Sequence, residues 1–419
     1  MTTPQEIAPS RIRPYYGAII IALCTLTNLA AIGLARFSYS LILPAMKDNL
    51  GLNYTETGLL ASGNFAGYLL ASLAAGALAA RYSVRLVTTF SLLLTGLTMV
   101  ATGASGGFLL ALVGRSLTGV GSSGANIPAL GLISAWFAPR RRGLATGIAV
   151  GGSGLGMIVA GWAVPILLAD GSIGWRNCWY TLGMATVAIS IAVGLLIRNT
   201  PEEKGLRPIG TEPEADDNAT RKGPTQLGLR EVYRSRALWH LGLVYATWGF
   251  SYIIYTTFFA AYLVGERALD PQYVGWLWSI VGTLATVAGL TWGWISDGLG
   301  RKKTIIILLA LQTLSFGMFI APGSDGWVHL SSIIFGMTGW GVPGVMAATA
   351  GDYLGHRMAP ASLGFITLLF GIGQAIGPGV AGYVADASGS FVGAFLLATA
   401  IGALGIVMAT ALRPPVARC

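Results

Sequence analysis

One arginine placed inside an apolar run is where this chain offers the most chemistry. Arg36 lies in Asn28-Leu-Ala-Ala-Ile-Gly33-Leu-Ala-Arg36-Phe37-Ser-Tyr39-Ser-Leu-Ile-Leu-Pro44. A cation in hydrocarbon costs a few kcal/mol or more unless it meets water, a partner or an anion. Two readings follow. The guanidinium can bind a carboxylate bidentately through its planar fork, or it can snorkel toward a span end about eight residues away, roughly 12 Å of helix. Tyr39 and Asn28 are polar candidates beside it, although spacings of three and eight share its face only loosely. Further along, Trp248, Tyr252 and Tyr255 follow spacings of four and three, with Tyr245 close by. That spacing makes one aromatic, amphipathic face, suited to a cavity wall, with helix packing or an interfacial belt as the alternative. Trp276 and Trp278 are expected nearer the outer surface as belt residues. Gln374, a strongly polar group in the middle of an apolar run, can contact substrate or bond another helix. Arg36, Tyr39, Asn126, Tyr252 and Tyr255 are expected to converge on one water-filled cavity.

The acidic residues narrow the chemistry further. All 17 Asp and Glu fall in loops, tails or at the ends of apolar runs, with Asp297, Asp352 and Asp386 coming closest to the interior. An arginine with no carboxylate at its depth favours an anionic ligand, which would complete the pair. Cys24, Cys178 and Cys419 have no metal or redox spacing, and no nucleophile and base pair is visible, so neither an enzyme nor a cofactor or metal is expected. Gly147-Ile-Ala-Val-Gly151-Gly-Ser-Gly154-Leu-Gly156 looks like a nucleotide loop but lacks the Lys-Ser/Thr that would follow, and no strand precedes it. Small residues at four-residue spacing fit close helix packing in a bilayer better.

The elements that must hold these residues are long and apolar. With 54% hydrophobic and 10% charged residues and a mean hydropathy of +0.66, a soluble protein would have too little polar surface. Runs able to cross about 30 Å of hydrocarbon read at 15–43, 55–79, 86–103, 107–136, 143–169, 176–197, 237–264, 272–296, 304–321, 327–351, 358–384 and 390–412. The expected fold class is therefore all-α: a polytopic membrane protein of twelve transmembrane helices in two pseudo-symmetric six-helix bundles. The expected divisions are a tail at 1–14, a bundle at 15–198, a linker at 199–236, a second bundle at 237–412 and a tail at 413–419.

The 26 Lys and Arg set the orientation. Placing both termini in the cytoplasm puts Arg11, Arg13, Arg81, Arg85, Arg140 to Arg142, the cluster from Arg198 to Arg236, Arg301 to Lys303, Arg357, Arg413 and Arg418 inside. Only Lys47, Arg176 and Arg267 then lie outside, as the positive-inside rule demands. The net charge of +9 is thus topology and needs no nucleic acid. The linker carries Pro201, Pro208, Pro213 and Pro224 and an acidic patch at 212–217, which suits a tether.

A glycine-spaced loop signature, Gly293-Trp-Ile-Ser-Asp297-Gly-Leu-Gly300-Arg301-Lys302-Lys303, has a worn copy at Gly76-Ala-Leu-Ala-Ala80-Arg81-Tyr-Ser-Val-Arg85. The pair resembles the G-x-x-x-D-R-x-G-R-R loop that follows the second helix of each half in the major facilitator superfamily. Gly114-Arg115-Ser-Leu-Thr-Gly119-Val-Gly121 is similar to its fourth-helix pattern, where the arginine either braces neighbouring helices or takes part in transport. Trp136-Phe137-Ala-Pro139-Arg140-Arg141-Arg142-Gly143-Leu-Ala145-Thr-Gly147 resembles the join between helices four and five in carriers of small organic anions. The glycine-rich fifth span lacks the proline of the antiporter version.

The resemblance implies a secondary transporter of the plasma membrane (the inner membrane in a Gram-negative cell), working by alternating access, monomeric, with the lipid bilayer and a small-molecule substrate as its partners and a proton as a candidate co-substrate. The leading substrate class is a small organic anion such as a monocarboxylate, moved across the membrane with symport as the candidate mode and the direction open. An efflux carrier for neutral or amphipathic sugars or drugs is the alternative. The implied substrate residues are Asn28, Arg36, Tyr39, Asn126, Trp248, Tyr252, Tyr255 and Gln374. The implied gating residues are Gly76, Arg81, Arg85, Arg115, Arg141, Arg142, Gly293, Asp297, Gly300 and Arg301. Ala80 stands where the family places its acid, so one acidic latch remains, with Asp297 expected to face Arg141, Arg142 and Gly143 when the basic side is shut.

Overall fold

The computed structural model describes residues 14–169, 171, 174–210, 229–355 and 358–412. The tails 1–13 and 413–419 and the acidic patch at 212–217 lie outside the described residues, with Arg11, Arg13, Arg221, Arg357, Arg413, Arg418 and Cys419. The described residues form no named strand; one isolated parallel bridge joins Phe137 to Ile209. Helix α1 (Pro14–Asn28) runs into a π-helical stretch, Leu29–Phe37, and on into α2 (Tyr39–Leu50). Then come α3 (Tyr54–Arg81), α4 (Val84–Gly103), α5 (Phe108–Trp136), α6 (Pro139–Leu168) and α7 (Gly174–Leu196). The second half of the chain gives α8 (Leu229–Arg234), α9 (Arg236–Gly265), α10 (Pro271–Leu299), α11 (Arg301–Phe319), α12 (Gly326–Gly339), α13 (Gly341–Leu354), α14 (Ala359–Ser388) and α15 (Phe391–Thr410).

Ten of these segments, with the pairs around Asn28 and Trp340 each counted as one, are long and apolar enough to cross a membrane. α5 and α9 are just as long, at 29 and 30 residues, but less apolar. The first carries Arg115, Asn126 and many Gly and Ser, and the second is rich in Trp and Tyr, whose polar atoms lower the hydropathy of an otherwise large apolar side chain. Large apolar residues such as Leu109, Leu73, Trp162 and Trp294 point outward, while the interfaces are made of small ones. This inversion suits a lipid solvent, in which close backbone approach rather than apolar burial joins helices.

The glycine-rich stretch of α6 does that joining. A Cβ at Gly154 would stand 2.5 Å from the Gly282 carbonyl oxygen and one at Gly161 2.4 Å from that of Gly275, both on α10. On its other side Gly156 meets the backbone of Gly33 in the π stretch. In the matching contact of α3 with α14, a Cβ at Gly58 would meet the Pro378 carbonyl at 2.2 Å. Both helix pairs splay toward the end that carries the basic loops. Gly76 and Gly364, and likewise Gly143 and Gly293, are the positions that continued antiparallel packing would set face to face, yet a side chain at any of the four would meet nothing within 4 Å.

The opposite end is clamped. The Asp386 carboxylate accepts from the Tyr54 and Thr55 backbone N–H groups at 2.9 and 2.7 Å and from the Thr55 hydroxyl at 2.6 Å. Tyr54 begins α3, so a carboxylate on α14 satisfies donors at the N-terminus of a helix from the other half of the chain, where the macrodipole also favours a negative charge. Asp386→Asn should therefore loosen this end. Distance distributions between spin labels at the starts of α3 and α15 should broaden in the variant, and an unchanged distribution would show that packing alone holds the end shut.

Candidate functional site

The break from α to π hydrogen bonding places the arginine. A π turn widens the helix and offsets its carbonyls, a device that recurs at functional sites. Arg36 sits in the last turn of the π stretch. Its guanidinium carbon lies 4.5 Å from the Phe65 ring centre and 4.4 Å from that of Tyr68, both on α3. Cation–π contact is the main protein interaction on offer: Nε and Nη2 are shielded from solvent and have no protein hydrogen-bond partner. At 9% exposure the side chain does not snorkel. It borders a cavity of about 230 Å³ shared by both halves of the chain.

One wall of the cavity is tied together by a polar chain. The Tyr68 hydroxyl donates to Asn126 Oδ1 at 3.1 Å, Asn126 Nδ2 donates to Asn28 Oδ1, and Asn28 Nδ2 donates to the Cys24 carbonyl at 3.1 Å. The facing wall is aromatic. Trp248 and Tyr252 stack at 4.2 Å with planes 6° apart, and Phe370 of α14 lies nearly parallel to both. The Trp248 indole donates to Gln312 at 2.7 Å, Gln312 donates to Thr338 at 3.3 Å, and Gln374 donates to the Tyr252 hydroxyl. Among the described residues, no Asp or Glu lines this cavity.

Arg36, Asn28, Asn126, Trp248, Tyr252 and Gln374 line this one cavity, and Tyr255 and Tyr39 of the expected set do not. Tyr255 is fully buried away from the cavity, stacked 4.1 Å from Phe335 and bonded to Ser331 at 3.0 Å. A spacing of four then three fixes a face, but the last residue of the triplet has rotated toward α11 and α12. Tyr39 bonds the Thr57 carbonyl at 2.8 Å and packs beneath Arg115. Trp278 is another correction. It is fully buried against Phe259, whereas Trp276 is half exposed as a belt residue should be.

Arg115 is 1% exposed, donates to the Ala35 carbonyl in the π stretch at 2.6 Å, and lies over the Tyr39 and Trp179 rings. That geometry braces the segment carrying Arg36. Phe65, Tyr68, Trp340 and Phe370 were missed. Asn64-Phe-Ala-Gly-Tyr68 offered a readable signal for the first two, with polar and aromatic groups one helical turn apart.

At the basic end the charged gating candidates find partners within their own half of the chain or in the linker. Asp297 accepts from Arg301 at 2.7 Å, and Arg301 also reaches Asp352 at 3.2 Å. Arg85 donates to the Gly194 carbonyl and Arg142 to that of Phe137, while Arg81 lies over Tyr82. The Arg141 side chain packs against Gly210 at the start of the linker. Gly300 takes a positive φ of 87°, which glycine adopts without strain. In this conformation Asp297 bonds Arg301 rather than Arg141 or Arg142, because the helices that would bring them together stand apart.

A family described as the uncharacterised MFS-type transporter YbfB matches residues 28–412. The chain belongs to this family. It is therefore a membrane transporter and not an enzyme. Among curated relatives, it is 25% identical over 316 residues to a probable sulfoacetate transporter of Cupriavidus necator, covering 73% of this chain and 71% of that one. It is 28% identical over 350 residues to monocarboxylate transporter 11 of Mus musculus, covering 81% and 70%. It is 25% identical over 288 residues to a probable L-galactonate transporter of Escherichia coli, covering 68% and 63%. In fold it matches a bacterial homologue of the human lysosomal transporter Spinster with a TM-score of 0.75 and 16% identity over 95% of this chain and 96% of that one.

This transporter's cavity makes an accessibility prediction. Single cysteines replacing Asn126 or Tyr252 should react with a water-soluble thiol reagent, and one replacing Tyr255 should stay protected while the protein is folded. The opposite pattern would place the pathway elsewhere.

Proposed function

We propose that this transporter carries a small organic anion, a monocarboxylate being the leading candidate, by alternating access around the Arg36 cavity. One observation carries the reading: a buried guanidinium with two unpartnered nitrogens borders a cavity that no carboxylate lines. An anionic head group would supply the missing acceptor in a charge-assisted contact, and the Trp248–Tyr252 stack would cover the rest of the molecule. Size supports a small substrate, since 230 Å³ is below the roughly 300–1,000 Å³ typical of sites for drug-sized ligands. The relatives named above, transporters of sulfoacetate, L-galactonate and monocarboxylate by name, support an anion as well. The aromatic wall also suits a neutral sugar or amphipath, which would use the stack and ignore Arg36.

Counting α5 and α9, the chain has twelve spans, six on each side of the linker, in bundles at 15–198 and 237–412. By the positive-inside rule the basic end is cytoplasmic, as are both termini. The clamped Asp386 end then faces outward and the conformation is inward-facing. Closing the basic end would bring Asp297 toward Arg141, Arg142 and the N-terminus of α6, a second latch for the opposite state.

Arg36→Ala should abolish transport, and Arg36→Lys should lower it by at least about tenfold, the equivalent of about 1.4 kcal/mol, because an ammonium cannot reproduce the bidentate fork. Competition assays in wild-type vesicles should show inhibition by carboxylates and not by their amides. Equal inhibition by both would favour the neutral-substrate reading. Asp297→Asn should shift spin-label distances across the basic end toward the separated state and slow turnover more than it weakens binding; distances that match wild type would rule the second latch out.

A further inference from the structure

Behind Arg36, on the side of Tyr39, a second and much smaller space of about 10 Å³ is lined by Arg36 and Arg115 together, with Tyr39, Ser40 and Thr257 among its polar neighbours. Both arginines are at least nine-tenths buried, at 9% and 1% exposure. Three of their nitrogens, Nε and Nη2 of Arg36 and Nε of Arg115, have no protein hydrogen-bond partner. Two guanidinium groups therefore border one small space that no carboxylate lines. Burying even one uncompensated cation is costly, and two of like sign at one site cost more. The rings of Phe65, Tyr68, Tyr39 and Trp179 offset only part of this through cation–π contact.

We propose that this space is a binding site for one monatomic anion, a halide, shared by Arg36 and Arg115. Size selects the class. A space of about 10 Å³ holds a single water-sized occupant, so a carboxylate, sulfonate or phosphate group does not fit. Chemistry selects the sign, because every unpartnered group there is a donor and an anion accepts from all of them. Arg36 borders both the small space and the main cavity, and its donors fan out in a plane, so it can hold a halide on one edge and a substrate on another. With a halide resident, two cations and one anion leave a single net positive charge. The site would then present a monoanionic substrate with an exact match in charge and a dianion with an excess. This selection rests on Arg36 meeting the substrate; the halide site itself does not.

The test uses full-length protein in detergent, titrated with chloride or bromide in halide-free phosphate buffer at constant ionic strength. The melting temperature should rise and saturate with either halide. Thr257→Ile, which fills the space without removing a charge, should lose the rise, and so should Arg115→Gln if it folds. Crystals grown in bromide should show an anomalous peak between the two guanidinium groups. A melting temperature that stays unchanged as halide replaces phosphate at constant ionic strength, or bromide density missing from this position, would overturn the proposal and leave water as the occupant. Because neither readout involves transport, failure here would leave the substrate assignment standing, and failure of carboxylate competition would leave the halide site standing.

Discussion

A guanidinium held in a low-dielectric interior without a carboxylate constrains everything around it. The charge must be met by something other than an ion pair, and three features of the fold meet it. The π stretch Leu29–Phe37 turns Arg36 inward instead of toward lipid. The rings of Phe65 and Tyr68 flank it. Arg115, itself buried, fastens the Ala35 carbonyl one residue away and so fixes the segment that presents it. A carboxylate in place of any of these would stabilise the resting protein more strongly and would also satisfy the group that the proposed anion would otherwise meet.

The second constraint is that helices must touch in the absence of an apolar driving force. Glycine against backbone at Gly154, Gly161 and Gly58 gives contacts that leave no room for a Cβ, so each pair meets in only a few allowed ways. Contact runs from the Asp386 end past mid-depth, as far as Gly147 against Leu290 in α6 and α10, and then ends, as the open surroundings of Gly76, Gly143, Gly293 and Gly364 show. A tight seam on one side and a splayed one on the other are what two packed faces produce when they pivot instead of sliding.

Much of this was legible in the chain. Ten spans followed from apolar length, Arg36, Asn28, Asn126 and Gln374 stood out as polar groups at depths where hydrocarbon penalises them, and Trp248 and Tyr252 were marked by their helical spacing. Tyr255 and Trp278 were misplaced because periodicity gives the face a residue occupies and not the helix that face meets. Trp340 and Phe370 went unseen because neither belongs to a run of aromatic residues spaced along one helix face, as Trp248 and Tyr252 do. The π stretch was hidden for a different reason: its hydrogen-bond register depends on the close approach of Gly33 to Gly156 and on Arg115, both distant in sequence. Asp297 was read for a closed basic end, whereas the structure holds that end open.

The hydrogen-bond chains along the two walls have a consequence for selectivity. Tyr68, Asn126 and Asn28 knit α1, α3 and α5 into one piece, and Trp248, Gln312 and Thr338 do the same for α9, α11 and α12. Each wall is thus assembled before any ligand arrives, and on the proposed alternating-access reading what a ligand changes is the distance between two finished surfaces. A molecule that grips only the arginine wall has equal affinity for every separation and cannot bias the equilibrium, however tightly it binds. One long enough to touch both Arg36 and the Trp248–Tyr252 stack favours the separation that fits it. Reach therefore sorts cargo from inhibitor among molecules that carry the same charge.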